Sequence, residues 1–181
     1  MTDPIVIEPY NEEWPILFME LGKQIKKALG SHAIRIDHIG STAVPGLAGK
    51  PIIDIQISVQ DLNNLGFVKQ GLETIGFYLR QDNPDLTKRD FRERPGMRRT
   101  HIHVREHGSW SEQFNLLFRD YLRSHENERQ EYAELKKSLA LRYRNQREKY
   151  VEGKAEMIWH MMRKANTWSQ QIGWKPGKPD F

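Results

Sequence analysis

The chain has 181 residues with a formal net charge of +4, and 38% of its residues are hydrophobic against 29% charged. That length supports one sizeable core, and the absence of cysteine excludes disulfides and thiolate metal or redox chemistry. The opening "MTDPIVIEPYNEEW" lacks the basic-then-apolar order of a signal peptide, and no apolar run approaches the roughly 20 residues of a membrane span. The expectation is a cytoplasmic protein without membrane contact.

In chain order, "PIVIEPY" reads as a short strand and Asn11 as the N-cap of a helix over 12–29. That helix carries Pro15 in its first turn, where proline is tolerated, and a stripe of Leu17, Phe18, Leu21, Ile25 and Leu29. "AIRIDHIG" and "PIIDIQISV" are the clearest strands. "DLNNLGFVKQGLETIG" predicts a helix with Asp61 near its start, and "FYLRQ" a return to the sheet. From Lys88 to Arg105 seven of eighteen residues are Lys or Arg against two acids. Such a run suits a polyanion, either nucleotide phosphates or RNA, and equally a solvated surface.

"RTHIHVRE" predicts a further strand. Ser109 and Glu112 stand at capping-box spacing before a helix with Phe114, Leu117, Phe118, Tyr121 and Leu122 on one face. Two more helices are predicted over 128–143 and 148–168, and residues 169–181, with two prolines and no periodicity, read as an irregular, loosely packed tail. The order of elements implies an α+β fold in one domain over 1–168, with a sheet covered by helices on one face and a helical region after it.

Strand side chains alternate faces. In "PIIDIQISV" one face collects Ile53, Ile55, Ile57 and Val59, and the other presents Asp54, Gln56 and Ser58. In "RTHIHVR" Ile102 and Val104 oppose Arg99, His101, His103 and Arg105. If the two strands share a sheet, Asp54, Gln56, His101 and His103 converge on one open cleft. Upstream, "HIGSTAVPGLAGK" offers close backbone approach at Gly40, hydroxyls at Ser41 and Thr42 and a point charge at Lys50, all suited to phosphate. Asp54 is a natural ligand for a hard cation beside them. The blander readings are a tight connection between strands, a solvated aspartate and locally hydrogen-bonded histidines.

The stretch "HIGSTAVPGLAGKPIIDIQISV" resembles the signature of the GrpB family, which is also similar to the accessory domain fused to some dephospho-CoA kinases. "EPYNEEWPILF", "RTHIHV", "LLFRDYLRSH" and "EYAELKKSLA" extend the resemblance over nearly the whole chain before the tail. The resemblance implies a nucleotidyltransferase-like mixed sheet. That superfamily places Gly-Ser about ten residues before two acids separated by one residue, with a third acid on a later strand. Here Gly40-Ser41 is followed by twelve residues and Asp54, but the second acid position is Gln56 and the later strand offers His101 or His103.

The family reading therefore implies a metal-dependent nucleotidyltransferase acting on a nucleoside triphosphate, with the acceptor open. Asp54, Gln56 and His103 would be catalytic. Gly40, Ser41, Thr42, Lys50 and Arg99 would bind phosphate. Asp54, His101 and His103 would hold a divalent metal, magnesium or manganese. The alternative is a non-catalytic accessory module that binds nucleotide or a partner protein, since a two-metal mechanism needs concentrated carboxylates.

Overall fold

The computed structural model describes residues 4–181. The elements run α1 (Glu13–Leu29), β1 (Arg35–Ile39), β2 (Ile53–Val59), α2 (Gly66–Thr74), β3 (Phe77–Leu79), β4 (Lys88–Glu93), β5 (Thr100–Glu106), α3 (Trp110–Ser124), α4 (Glu126–Arg142), α5 (Arg147–Glu152) and α6 (Ala155–Ile172). The strands form one sheet in the order β1-β2-β5-β4-β3. The central β2–β5 pair is parallel and the other pairings are antiparallel.

The alternation read from sequence sets which face is core. Ile53, Ile55 and Ile57 of β2, with Ile36, Phe91, Ile102 and Val104 from neighbouring strands, meet Trp14, Phe18, Ile25 and Leu29 of α1 and Val68 and Leu72 of α2. Burying each such side chain is worth roughly 1.5–3 kcal/mol relative to leaving it in water. The N-cap of α1 is Glu12, one residue after the expected Asn11, whose Oδ1 still accepts from Glu13 N at 2.8 Å just ahead of the helix. The Ser109 hydroxyl caps α3 by accepting from Glu112 N, and the Glu112 carboxylate accepts from Gly108 N at 2.7 Å.

Several expectations change. "PIVIEPY" makes only an isolated bridge from Glu8 to Gly49, because Ile5 and Ile7 pack into the helical layer instead of the sheet. The charged run "KRDFRE" is strand β4, with Phe91 fully buried. The third late helix is two, α5 and α6, divided at Gly153–Lys154, where Leu139 packs so closely that a Cβ on Gly153 would meet it at 2.7 Å.

Helices cover both sides of the sheet. While α1 and α2 take the apolar face, α3 crosses part of the polar face, and Gln56 and Ser58 are fully buried. The last residues, too, are tied down. After Gly173 ends α6 in the left-handed conformation, Phe181 N donates to Ile36 O and Arg35 donates to Gly177 O. The Asp180 carboxylate accepts from His38 N and from Arg119 of α3, so the segment lies along the outer edge of β1. Among the described residues no helix is long and apolar enough to cross a membrane.

Candidate metal and phosphate site

The parallel register of β2 and β5 pairs Asp54 with His101 and Gln56 with His103. On the other side of β5, β4 places Arg92 opposite His101 and Asp90 opposite His103. Directly opposed residues share a face of the sheet, so these side chains gather at one end of it. Asp54 Oδ1 stands 3.2 Å from His101 Nδ1 and 3.6 Å from His103 Nε2. One ligand atom from each of Asp54, His101 and His103 can be chosen so that all lie within 4.8 Å of one another.

Asp90 decides the tautomer of His103. Its carboxylate lies 2.6 Å from His103 Nδ1, and an ionised carboxylate only accepts, so the proton sits on Nδ1. Nε2, the other ring nitrogen, then faces the Asp54 carboxylate, a place that either a proton on Nε2 or a bound cation can fill. Ligands about 2.1 Å from a common ion are roughly 3–3.5 Å apart, which the two contacts approach. In His101 the nitrogen that faces Asp54 is Nδ1, while Nε2 is buried without a hydrogen-bond partner among the described residues. Burial would raise the Asp54 carboxyl, but hydrogen bonds and charge from His101 and His103 outweigh it and hold it well below the usual range. Burial lowers His101, opposed by Asp54. The residues fit one divalent ion, and two imidazoles with one carboxylate favour manganese or zinc over magnesium.

The glycine-rich loop closes onto this cluster. Gly40 has φ 72° and ψ −170°, and a Cβ there would lie 2.6 Å from Asp54 Oδ2. Ser41 follows at the start of a 3-10 turn over Ser41–Ala43. Its hydroxyl accepts from Lys136 Nζ of α4 at 2.8 Å, and the same ammonium donates to Ala48 O. Beyond His101 the site opens into a groove of about 540 Å³ lined in part by Arg80, Arg92, Arg99 and Arg147, with Asp82 and Glu93 among them.

Not every expected residue reaches the site. Gln56 does not complete a metal shell, because its Nε2 donates to Glu112 O and its Oε1 accepts from Arg105 under α3. Thr42 is not available to phosphate either. It is buried, donates to Ile52 O and accepts from His38 Nε2, so it clips the loop to β1. His38 is stacked on Phe18, and burial pushes it down to about 3, so it stays neutral. Lys50 lies over the Tyr150 ring, and burial with repulsion from Arg147 and Lys154 lowers it to about 8. Arg99 borders the groove and pairs with Glu93 at 3.0 Å.

We expect Gln56→Glu to leave metal affinity unchanged, measured by manganese titration. It should instead lose about 1–3 kcal/mol of stability, because a carboxylate oxygen would replace the donor facing Glu112 O.

Asp90 and Lys136 carry no mark in the sequence. Asp90 sits in a basic run, and Lys136 is one of two adjacent lysines on a highly charged helix. Lys136 is nonetheless 2% exposed, and burial with repulsion from Lys154 and Lys50 pushes it down to about 7. Its folded pKa lies below the unfolded value near 10.4. Between about pH 7 and pH 10 the unfolded chain therefore holds a proton the native state releases, and stability rises with pH. Lys50 contributes with the same sign. Urea melts across that window should show the rise in wild type and a clearly shallower one in Lys136→Met.

The mixed α+β sheet, with a Gly-Ser loop beside a strand aspartate, is consistent with a nucleotidyltransferase-like fold. The comparisons place the chain more narrowly. The GrpB protein family matches residues 4–164, and the chain belongs to that family. UPF0157 protein YqkA of Bacillus subtilis is 36% identical over 161 residues, 89% of this chain and 47% of that one. UPF0157 protein BH1888 of Halalkalibacterium halodurans is 35% identical over 90% of this chain and 83% of its own length. A dephospho-CoA kinase of Mycolicibacterium paratuberculosis is 33% identical over 96% of this chain and 49% of its own. The chain thus spans about half of YqkA and of that kinase. The crystal structure of conserved protein GrpB from Enterococcus faecalis superposes with a TM-score of 0.81 at 30% identity, covering 90% of this chain and 99% of that one.

Proposed function

We propose that this chain binds a nucleoside triphosphate in the cytoplasm against one divalent metal, and transfers its nucleotidyl group to an acceptor. The observation that carries the reading is the convergence of Asp54, His101 and His103 under the Gly40 backbone. Asp54 Oδ1, His101 Nδ1 and His103 Nε2 would hold the ion, manganese or zinc in preference to magnesium. When bound, it would offset charge on the phosphate oxygens and polarise them.

The chain's own groups do the rest. Asp90 keeps the proton on His103 Nδ1 and the ring turned toward Asp54. Gly40, lacking a Cβ, lets backbone and phosphate approach. Ser41, Lys50 and Arg99 offer a hydroxyl and two cations to the phosphates, and Arg92 and Arg147 extend the basic groove.

A second reading is a nucleotide-binding accessory module without turnover. It is favoured by the engagement of Gln56 away from the cluster, which leaves one carboxylate where two-metal transfer needs more. The length shared with a dephospho-CoA kinase, about half of that protein, suits a module too.

Incubation with radiolabelled nucleoside triphosphates and manganese, zinc or magnesium separates the two. Metal-dependent release of pyrophosphate supports transfer. Metal-dependent binding without release across a panel of acceptors supports the module. Failure to bind either metal or triphosphate overturns both.

A further inference from the structure

Asp54 stands between two spaces of opposite character. On its His101 side is the arginine-lined groove. On its Gly40 side is a mainly apolar cavity of about 180 Å³ lined by Val44, Leu47, Leu122 and Tyr132, all buried, with Asn115 and with Arg119, whose guanidinium is paired with Asp120 and Asp180. Phe114 and Phe118, both partly exposed, stand at its mouth, and Gly40 and Ser41 form one edge. The cavity and the metal cluster thus share the Gly40 backbone as a wall.

The mouth continues into an exposed aromatic rim. Trp110 is 70% exposed and Trp159 54% exposed, and each stands edge-on to Phe114 with ring centroids 5.9 and 5.5 Å away. Phe118 in turn packs edge-on against Tyr132 at 5.7 Å. The aromatic surface therefore runs unbroken from solvent to the cavity floor. Two tryptophans left in water at the lip of an apolar cavity are what a site for a flat, π-rich ligand presents.

We infer that this cavity takes the planar base of a nucleotide whose phosphates lie on the metal side of Gly40, an inference that rests on the nucleotide reading above. Charge sorts the two ends of the ligand, because the groove gathers four arginines, whereas the cavity's one arginine, Arg119, is already held by Asp120 and Asp180 among Val44, Leu47 and Leu122. Size agrees. An apolar cavity of about 150 Å³ admits benzene, so this one admits a six-membered heterocycle, and the remainder of a purine would rest on Phe114 and Trp159. Stacking of this kind is tolerant of base identity.

The test is calorimetric titration of the full chain, with manganese present, by ATP and by inorganic tripolyphosphate, in wild type, Phe114→Ala and Phe118→Ala. Tryptophan fluorescence reports on Trp110 and Trp159 in parallel. The expected result is ATP binding at least about tenfold tighter than tripolyphosphate in wild type. That margin should shrink in both variants, while tripolyphosphate binds them as it binds wild type and their melting temperatures confirm folding.

Equal affinities in wild type, or a margin untouched by both substitutions, overturn the base site and leave the metal–phosphate reading standing. If neither ligand binds, adenosine decides. Adenosine binding that Phe118→Ala weakens supports the base site although the phosphate reading has failed, and no adenosine binding overturns both.

Discussion

Asp54→Ala should abolish metal binding, lowering manganese affinity by more than the 10–100-fold typical of losing a partner one shell out, and any pyrophosphate release should vanish with it. Asp54 is the only carboxylate among the three converging side chains, and its Oδ1 faces both imidazoles. Two neutral rings without it offer no charge to offset that of the ion. Asp90→Asn is the graded companion. It keeps the shape of the side chain but can no longer dictate which nitrogen of His103 is protonated, so about a 10–100-fold loss of metal affinity is expected.

Thermal melting with and without manganese gives a readout independent of turnover. A metal at 100 times its Kd should stabilise wild type by about 2.7 kcal/mol, Asp90→Asn by less and Asp54→Ala not at all. Equal stabilisation of wild type and Asp54→Ala would place the ion elsewhere and remove the basis for the proposed chemistry.

The separation between what the chain announces and what it conceals follows from the range of the interactions. Parity along "PIIDIQISV" and "RTHIHVR" is local, because a residue's face depends only on its place in the strand. The pairing of Asp54 with His101 needed just one further fact, that β2 and β5 are neighbours in parallel register. The same parity put Gln56 beside Asp54, and there it misled. Whether a polar side chain on that face meets solvent or a helix depends on where α3 lands, more than fifty residues later, and Glu112 O takes the amide.

Asp90 and Lys136 were hidden for a related reason. A charge is informative only with its neighbours. Lys88 pairs with Asp90, and Arg99 with Glu93, so a run that reads as a continuous basic face is partly neutralised across β4 and its turn. On α4 nothing in the pattern distinguishes Lys136, buried against the glycine-rich loop, from Lys137, which pairs with Glu134 in solvent. The final segment looked free because its prolines and glycines break periodicity, yet single contacts from Asp180 and Phe181 to β1 need no periodicity at all.

Gly40→Ala should damage the site as severely as any substitution outside Asp54, His101 and His103. Two effects act together and can be told apart. With φ 72° and ψ −170°, position 40 lies in backbone territory that glycine alone occupies comfortably, so alanine should cost about 1–3 kcal/mol of stability whatever surrounds it. The added Cβ would also lie 2.6 Å from Asp54 Oδ2 and 3.1 Å from Asp54 Cβ, so the carboxylate must turn away from His101 and His103. Gly46→Ala is the control. That residue also has positive φ, at 79°, but its Cβ would meet Arg129 Nε at an ordinary 3.5 Å, far from the histidines in contact terms. Both variants should melt at lower urea than wild type, and only Gly40→Ala should lose manganese affinity. If the two variants bind manganese equally well, the closure of the loop on Asp54 has no part in holding the ion, and the role of Gly40 reduces to its backbone.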